Sequence, residues 1–309
     1  MATNATQTNN GFENLLDNGT QKPTGTNFGM SDAERVKHDT YTSEEIRDVN
    51  NITVTIPDTQ TPIVVFFGSQ ASGKTLALLR MIRFLENEKM GYTVQPEYVF
   101  RPQTDKHYKK MCDGLKNMAY NQYAPGGNDI ISFMLVKVLD QGSRPVCQML
   151  EAPGEHYFDG TANLNFPTYI HQICQVPNRK IWVFFVQQDW GQNQNERSMY
   201  AQKICAMQDL IMPNDKIIFL YNKCDKKSNQ YLPNKHPNVS VFFNNIQGQY
   251  PNIFSKYTRT GFSAFLFGKY DFQQVCFSAG TFTKNTTNDK ENWIPGADFY
   301  CQDLWNLIS

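Results

Sequence analysis

Residues 63–82 read IVVFFGSQASGKTLALLRMI, and this stretch decides the fold. Its apolar start predicts a buried strand, and the periodic apolar residues after position 73 predict an amphipathic helix. Between them, GSQASGKT has the form GxxxxGK[ST], in which glycines let the backbone turn tightly and aim successive amides at a polyphosphate. The start of the helix adds the positive end of its dipole. The stretch therefore predicts a phosphate-binding loop of the Walker A kind.

The residues of this loop are the predicted phosphate contacts. They are Gly68, Ser69, Gln70, Ala71, Ser72, Gly73, Lys74 and Thr75. Lys74 would neutralise phosphate oxygens and stabilise the charge that develops during catalysis. The Thr75 hydroxyl would bind Mg²⁺. The alternative, a glycine turn with a solvated lysine, is disfavoured by the flanking strand and helix.

The set of loop contacts ends at Thr75. The next position does not offer a second threonine, because residue 76 is Leu76. A leucine has no oxygen in its side chain to offer a phosphate or a metal ion. Position 76 is therefore left out of the predicted nucleotide contacts.

Strand-like and helix-like runs alternate on both sides of the loop. Strand candidates are residues 62–67, 130–139, 145–151, 180–187, 216–221 and 272–277. Helix candidates are 73–88, 105–120, 193–211, 298–308 and a weaker one near 241–254. Near-continuous apolar strands separated by helices predict an α/β fold with a doubly wound, mainly parallel sheet and helices on both faces. Ligands of such folds bind beyond the carboxyl ends of the strands.

Composition narrows the class of protein. The 29 basic and 29 acidic residues balance, which gives no support to a globally basic, nucleic-acid-binding protein. Seven cysteines without a CxxC pair predict reduced thiols rather than a disulfide or zinc framework. The start of the chain lacks the pattern of a secretion signal, and the apolar runs are too short to cross a bilayer. The default expectation is a cytoplasmic protein without a transmembrane segment.

The first 57 residues are rich in Asn, Thr, Gln, Asp and Gly. Such a segment buries too little surface to offset the entropy of ordering, so we expect a flexible polar extension over residues 1–57. Within this extension, the sequence is compatible with a short helix at 43–47 and an edge strand at 52–56, without deciding for either. The folded domain is expected over 58–309, with insertions near 93–129, 226–260 and 281–297.

The run KIIFLYNKCD places Asn222, Lys223 and Asp225 just beyond another predicted strand. A carboxylate accepts two hydrogen bonds from the N1–H and exocyclic amine of guanine, a donor pair that adenine lacks. Asp225 would therefore select the base, Asn222 would brace the loops and Lys223 would cover the face of the base. The alternative is an ordinary polar turn.

A second short loop follows the strand predicted at 272–277. It consists of Ser278, Ala279 and Gly280, and a backbone amide there would donate to guanine O6. Three small residues alone are more typical of a simple turn.

With these motifs, the chain resembles the Ras-like, translation-factor-related class of P-loop GTPases over residues 62–309. Its phosphate loop is similar to that of ADP-ribosylation-factor and signal-recognition-particle-receptor-β proteins. NKCD matches the guanine-specificity motif of the class and SAG the supporting loop, while PVCQMLEAPGEHYF at 145–158 resembles its DxPG segment. The resemblance implies GTP or GDP as ligand, Mg²⁺ as cofactor and a protein effector or regulator as partner.

The DxPG-like segment departs from the class pattern. Glu151 stands where the class has Asp, and its extra methylene changes how it would hold Mg²⁺. The resemblance implies that the Gly154 amide contacts the γ-phosphate and that Glu155 or His156 positions the attacking water, where Ras-like members have Gln. A strand-terminal glutamate in a turn and a surface histidine are the alternatives.

The segment between Thr75 and Glu151 should supply a second threonine ligand for Mg²⁺. Arg101 and Thr104 have the spacing found in heterotrimeric G-protein α subunits, which implies a catalytic arginine and a metal-binding threonine. The alternative is a loop arginine followed by a threonine that caps a helix. Thr93 is the other candidate.

The prediction is a GTP-binding protein that hydrolyses GTP to GDP and phosphate with Mg²⁺ and acts as a molecular switch. One alternative is a catalytically weak GTP-binding scaffold. A second is a P-loop ATPase or nucleotide kinase in which NKCD is accidental, and a third is a structural interaction protein without a nucleotide.

Overall fold

The computed structural model describes residues 41–309 except 125–132, 159–162, 189, 192, 227–235 and 285–290. The strands are β1 (Ile63–Phe67), β2 (Thr93–Pro96), β3 (Met134–Leu139), β4 (Pro145–Glu151), β5 (Lys180–Gln187), β6 (Lys216–Asn222), β7 (Gln273–Cys276), β8 (Gly280–Lys284) and β9 (Glu291–Pro295). The α-helices are α1 (Ser43–Arg47), α2 (Lys74–Leu85), α3 (Lys106–Tyr120), α4 (Gly154–Tyr157), α5 (Thr168–Gln175), α6 (Gln194–Ala206), α7 (Val239–Gln249), α8 (Gly261–Phe267) and α9 (Asp298–Ile308).

The described strands form a large sheet in the order β2-β3-β4-β1-β5-β6-β7 and a separate β8-β9 hairpin. β1 lies at the centre and pairs in parallel with β4 and β5, and the parallel pairing continues through β6 to β7. Only β2 and β3 run antiparallel to their neighbours in this sheet. Because every residue of β1 is buried, the sheet is covered on both faces. The predicted α/β fold with a mainly parallel sheet is confirmed.

Most predicted elements lie where the patterns place them. β4, β5 and α9 have the predicted bounds, because each is an uninterrupted apolar or periodic run with clear breakers at both ends. The strand predicted at 130–139 is described from Met134, and residues 130–132 lie outside the described residues. The helix predicted at 193–211 ends at Ala206 and continues as a 3₁₀ turn, Met207–Asp209.

Five features were not predicted: the edge strand β2, the helices α4, α5 and α8, and the β8-β9 hairpin. β2 and α8 are short, and both carry more exposed than buried residues, so their periodicity is weak. In the described part of the chain, no helix combines the length and the apolar character that a membrane span requires.

Residues 41–57 differ from the flexible extension predicted for the start of the chain. Thr42 and Glu45 form a reciprocal capping box at the start of α1, and Ile52 is buried in the core. Residues 52–56 do not form a strand, although the Thr55 amide donates to the Phe100 carbonyl at 2.8 Å. The segment is attached to the core by two buried side chains, Glu45 and Ile52. Overall composition does not reveal an attachment made by so few residues. Residues 1–40 lie outside the described residues.

Candidate nucleotide-binding site

The loop from Gly68 to Gly73 joins the carboxyl end of β1 to α2, where the sequence places it. Gly73 precedes the helix with a φ of 91°, and Ala71 also has a positive φ of 56°. A Cβ at Gly73 would lie 2.5 Å from Asn222 Nδ2, and one at Gly68 would lie 2.6 Å from Ser72 Oγ. The close approach of these groups favours glycine at both positions, and at Gly73 the positive φ does so as well.

The Lys74 ammonium group lies inside this loop. It is buried and donates to the carbonyl oxygens of Gly68 at 3.0 Å and Ser69 at 3.1 Å. Burial lowers the pKa of Lys74, while the negative charges of Glu151 and Glu155 oppose that shift. A phosphate oxygen entering the loop would compete with two neutral carbonyls for a cation, and its charge gives it the stronger hydrogen bond.

Leu76 belongs to the core side of α2 rather than to the nucleotide site. Its side chain is half-buried and packs against the hydrophobic core. Successive residues of an α-helix point about 100° apart, so the position after Thr75 turns away from the direction of the Thr75 hydroxyl. A threonine contact at position 76 is thus ruled out by the residue itself and by its packing, and the candidate hydroxyl of this helix start is that of Thr75.

Glu151 ends β4 and pairs in register with Phe66 near the end of β1. The Thr75 hydroxyl donates to its Oε1 atom, whereas Oε2 is buried without a hydrogen-bond partner among the described residues. Burial raises the pKa of Glu151 to about 7, although Lys74 and the Thr75 hydrogen bond oppose the shift. An unpartnered buried carboxylate oxygen is costly and marks a place that a cation would stabilise.

The chemistry of this pair fits Mg²⁺ brought by a nucleotide. Thr75 and Glu151 offer hard oxygen ligands, and Mg²⁺ at phosphate sites takes one or two protein oxygens plus phosphates and waters. The described residues contain no cluster of three or more His, Cys, Asp or Glu side chains that would hold a metal alone. The pair therefore suits a shared metal rather than a resident one.

Gly154 packs directly on the phosphate loop. A Cβ at this position would lie 2.3 Å from the Gln70 nitrogen and 2.4 Å from the Ser69 carbonyl carbon, so no side chain fits without moving the loop. α4 begins at this residue. The segment after β4 is therefore in contact with the place where a phosphate would bind.

Glu155 and His156 follow Gly154 and differ in exposure. Glu155 is exposed, whereas His156 is half-buried with Nδ1 2.9 Å from the Tyr169 hydroxyl. Both border a cavity of about 730 Å³ between α1 and the start of α5, which is also lined by Tyr41, Thr168 and Lys203. Glu155 lies close enough to Lys74 for its charge to raise the pKa of that ammonium group, whereas the His156 ring packs against Tyr41, Phe133 and Tyr169.

The NKCD motif contacts the phosphate loop. Asn222 Nδ2 donates to the Ser72 carbonyl at 2.6 Å, and Lys223 Nζ donates to the Ala71 carbonyl at 2.8 Å. Lys223 has a φ of 57°, which places it in the left-handed region at the end of β6. Asn222 thus braces the loop, as the sequence suggests.

Asp225 is joined to the SAG loop. The Ser278 hydroxyl donates to Asp225 Oδ1 at 2.8 Å, and it accepts from the Gly280 amide at 3.2 Å. Because β6 and β7 are parallel neighbours, their carboxyl ends bring the two loops together. The predicted base-recognition residues therefore lie beside one another.

Sequence reasoning missed the support behind the SAG loop. Trp293 Nε1 in β9 donates to the Ala279 carbonyl at 3.0 Å, and the Gly296 amide donates to the same oxygen at 3.2 Å. A sequence pattern could have indicated these two strands. Polar and apolar residues alternate in TFTK at 281–284 and in NWIP at 292–295, which is typical of paired strands.

The structure corrects the assignments of Arg101 and Thr104. The Arg101 guanidinium is buried and donates to Glu45, Asp105 and the Thr53 carbonyl, so it belongs to a structural ion-pair cluster. Thr104 is exposed beside a surface depression that contains no phosphate-loop residue. The helix is capped by Asp105 rather than by Thr104.

Thr93 is also removed from the loop. It pairs with Leu139 in the edge strand β2, and Leu139 pairs with Pro145 at the start of β4. Glu151 lies at the other end of β4, so Thr93 is at the opposite end of the sheet from the predicted metal ligands. None of the three first-switch candidates therefore joins Thr75 and Glu151.

No family model matches the chain, and no curated protein does. Among solved structures, the chain is similar to the Saccharomyces cerevisiae Ski7 GTPase-like domain bound to GDP and inorganic phosphate, with 15% identity and a TM-score of 0.39. That match covers 81% of this chain and 50% of the other, so the chain spans about half the length of that structure.

Two further structures are similar to the chain. The signal recognition particle receptor SRb-GTP/SRX complex from Chaetomium thermophilum matches with 13% identity and a TM-score of 0.39, covering 75% of this chain and 96% of the other. A putative nucleolar GTP-binding protein 1 from Plasmodium falciparum matches with 11% identity and a TM-score of 0.36, covering 73% and 80%. Likeness at this level carries no conclusion about function.

The topology of the sheet and the position of the phosphate loop agree with the fold of P-loop NTPases. The strand–loop–helix unit lies at the centre of a mainly parallel sheet, and the motif residues collect at the carboxyl ends of β1, β4, β6 and β7. This is where ligands of doubly wound folds bind. The chain has an α/β P-loop NTPase fold.

Proposed function

We propose that this protein binds GTP with Mg²⁺, hydrolyses it to GDP and phosphate, and acts as a molecular switch. The observation that carries the proposal is the hydrogen bond from Asn222 to the Ser72 carbonyl, which joins a guanine-type motif to the phosphate loop. A base and its phosphates are parts of one ligand, and this contact supports the proposal because it joins the two loops that would recognise them.

Each residue of the site has a distinct task in this proposal. The loop amides and Lys74 bind the phosphates and stabilise the negative charge that spreads over them as the γ-phosphoryl group leaves. Thr75 and Glu151 hold Mg²⁺, which when bound neutralises phosphate charge. Asp225 accepts hydrogen bonds from guanine, and Ser278 fixes the orientation of its carboxylate. An amide near Gly280 donates to guanine O6.

Hydrolysis requires a water to be placed on the far side of the γ-phosphate. The Gly154 amide would contact that phosphate, and Glu155 would orient the water and accept its proton. His156 is held by Tyr169 and would position rather than deprotonate the water. Loss of the γ-phosphate would release the contact with Gly154 and change the surface around α4, where a protein effector would bind.

Base selection is tested by the substitution Asp225→Asn. The amide of the new asparagine donates a hydrogen bond, and xanthine presents an oxygen where guanine has its amine. We therefore expect the variant to lose affinity for GTP and to gain affinity for xanthosine triphosphate. Asp113→Asn, on the outer surface of α3, is the matched control and should keep the preference for GTP. Equal competition by ATP and GTP for the wild-type protein would instead favour an ATPase or nucleotide kinase.

A catalytically weak GTP-binding scaffold is the second candidate. It is favoured by the burial of Arg101 in an ion-pair cluster, which leaves the proposed reaction without the predicted arginine. Single-turnover hydrolysis of bound GTP separates the two candidates. Release of phosphate that depends on Mg²⁺ and is lost in Lys74→Ala supports the enzyme, whereas bound GTP that persists for hours supports the scaffold.

A further inference from the structure

The helix α8 exposes large apolar side chains to solvent. Phe262, Phe265 and Phe267 are 74%, 83% and 70% exposed, and Leu266 is 53% exposed. No residue of the helix is buried. We call residues 261–268 the α8 tip. Apolar surface held in water is costly, and a contiguous exposed patch usually marks a place of contact.

The exposure of the α8 tip is built into the fold. The Arg259 amide donates to the Lys269 carbonyl at 2.8 Å, and the Asp271 amide donates to the Tyr257 carbonyl at 2.9 Å. Together, residues 257–259 and 269–271 form a stem. The Arg259 guanidinium also donates to the Phe267 and Tyr270 carbonyls and pairs with Asp271. A helix this short is not stable alone, so the stem holds it in place.

The α8 tip lies away from the nucleotide site. Its stem leads into the amino end of β7, whereas the Ser278 loop follows the carboxyl end of the same strand. The strand therefore separates the two by its full length. Contacts made by the tip leave the predicted nucleotide loops accessible.

The chain on both sides of the tip is basic. Lys256 and Lys269 are exposed on the two sides of the stem. Asp271 is the single acidic residue between positions 236 and 284, and it is paired with Arg259. Along the chain the apolar tip is thus flanked by positive charge, and the acidic residue that acts on the stem from outside this stretch is Asp209, near Tyr257.

We propose that the α8 tip docks into the headgroup region of a bilayer that contains anionic lipids. Seven of the eight residues of the tip are exposed and Ala264 is half-buried, so the tip fits a deformable interface better than a rigid partner surface. Phenylalanines that enter the boundary of the acyl chains, together with lysines that attract anionic headgroups, supply the two signals that reversible membrane binding requires. The binding is peripheral and weakens as salt screens the lysines.

The test is co-sedimentation of the full chain with vesicles of phosphatidylcholine alone or mixed with phosphatidylglycerol. Wild type should sediment with the anionic vesicles and less with the neutral ones. The variant Phe262→Ser/Phe265→Ser should bind the anionic vesicles about tenfold more weakly. Lys256→Ser/Lys269→Ser should lose the preference for anionic lipid. Met212→Ser, at a position that is 52% exposed elsewhere, is the matched control.

The proposal is overturned if wild type stays in the supernatant with anionic vesicles at low salt, or if the double serine variant at the tip sediments like wild type. It is also overturned if wild type is a dimer that the same variant converts to a monomer, because the tip then contacts a second copy. Circular dichroism and GTP binding check folding, since exposed positions far from the nucleotide site should leave both unchanged.

Discussion

Two buried groups of charges in this protein contain similar residues and differ in how completely they are paired. Around Arg101, one guanidinium meets the carboxylates of Glu45 and Asp105 and a backbone carbonyl, each within 2.9 Å. Around Glu151, one carboxylate oxygen meets Thr75 and the other has no described partner. The first group serves the fold, because its charges satisfy each other. The second leaves one carboxylate oxygen without a hydrogen-bond partner among the described residues, which a bound cation would satisfy.

The largest expected effect is on stability at Arg101. The substitution Arg101→Ala leaves Glu45 and Asp105 buried without a cation, and we expect a loss of about 3–5 kcal/mol in the free energy of unfolding. Denaturant unfolding measures it. Arg144→Ala is the control, because Arg144 pairs with Asp140 while its own side chain is 83% exposed, and it should cost less than about 1 kcal/mol. Equal effects for the two arginines would refute the structural role.

The next effect is on ligand affinity at Lys74. The substitution Lys74→Ala removes a charge-assisted contact with phosphate, and we expect the affinity for GTP to fall about 100-fold. Isothermal titration calorimetry with Mg²⁺ measures it. Lys116→Ala, which removes a surface lysine on α3, should leave the affinity unchanged. Tight binding by the Lys74 variant would place the nucleotide elsewhere.

A pH-dependent effect is expected at Glu151. Its pKa rises from 4.5 to about 7 on folding, so its contribution to stability is complete below about pH 4.5 and is lost as the pH rises through 7. Glu151→Gln avoids that loss, and the nucleotide-free variant should melt a few degrees above wild type at pH 8, with a smaller difference at pH 5. Saturating Mg²⁺ and GTP should reverse the order at pH 8. A difference independent of pH would contradict this account.

The smallest effect is expected at Ser278. The substitution Ser278→Ala frees the Asp225 carboxylate from one hydrogen bond, and the affinity for GTP should fall about fivefold, or about 1 kcal/mol. Competition with GTP, GDP and ATP measures whether base selectivity falls with it. Ser263→Ala, in the α8 tip, is the matched control and should change neither quantity.

The sequence predicts the fold well where a local pattern also sets the packing. β1, the loop and α2 are adjacent in the chain, and the parallel strands follow from apolar runs such as residues 180–187. The NKCD motif can be recognised from the sequence for the same reason, because it directly follows the apolar run of β6. These features depend on neighbouring residues, so a single stretch contains the information.

The errors fall where a residue's partner is distant in the chain. The spacing of Arg101 and Thr104 is compatible with a catalytic arginine, but the side chain pairs with Glu45, 56 residues away. Glu45 lies in a segment whose composition predicts disorder. Local pattern gives no way to foresee a long-range ion pair that orders such a segment.

The β8-β9 hairpin has a consequence for co-translational folding. Ala279 is fastened by Trp293 and Gly296, and Arg80 of α2 donates to the Gly296 carbonyl and pairs with Asp298. The helix α2, early in the chain, and the Ser278 loop, late in the chain, are thus joined through residues 293–298. On the ribosome, the phosphate loop emerges first, yet the pocket is complete only after residues 278–298 leave the exit tunnel. Under the proposed function, nucleotide capture is therefore a late event of synthesis, which follows closure of the domain.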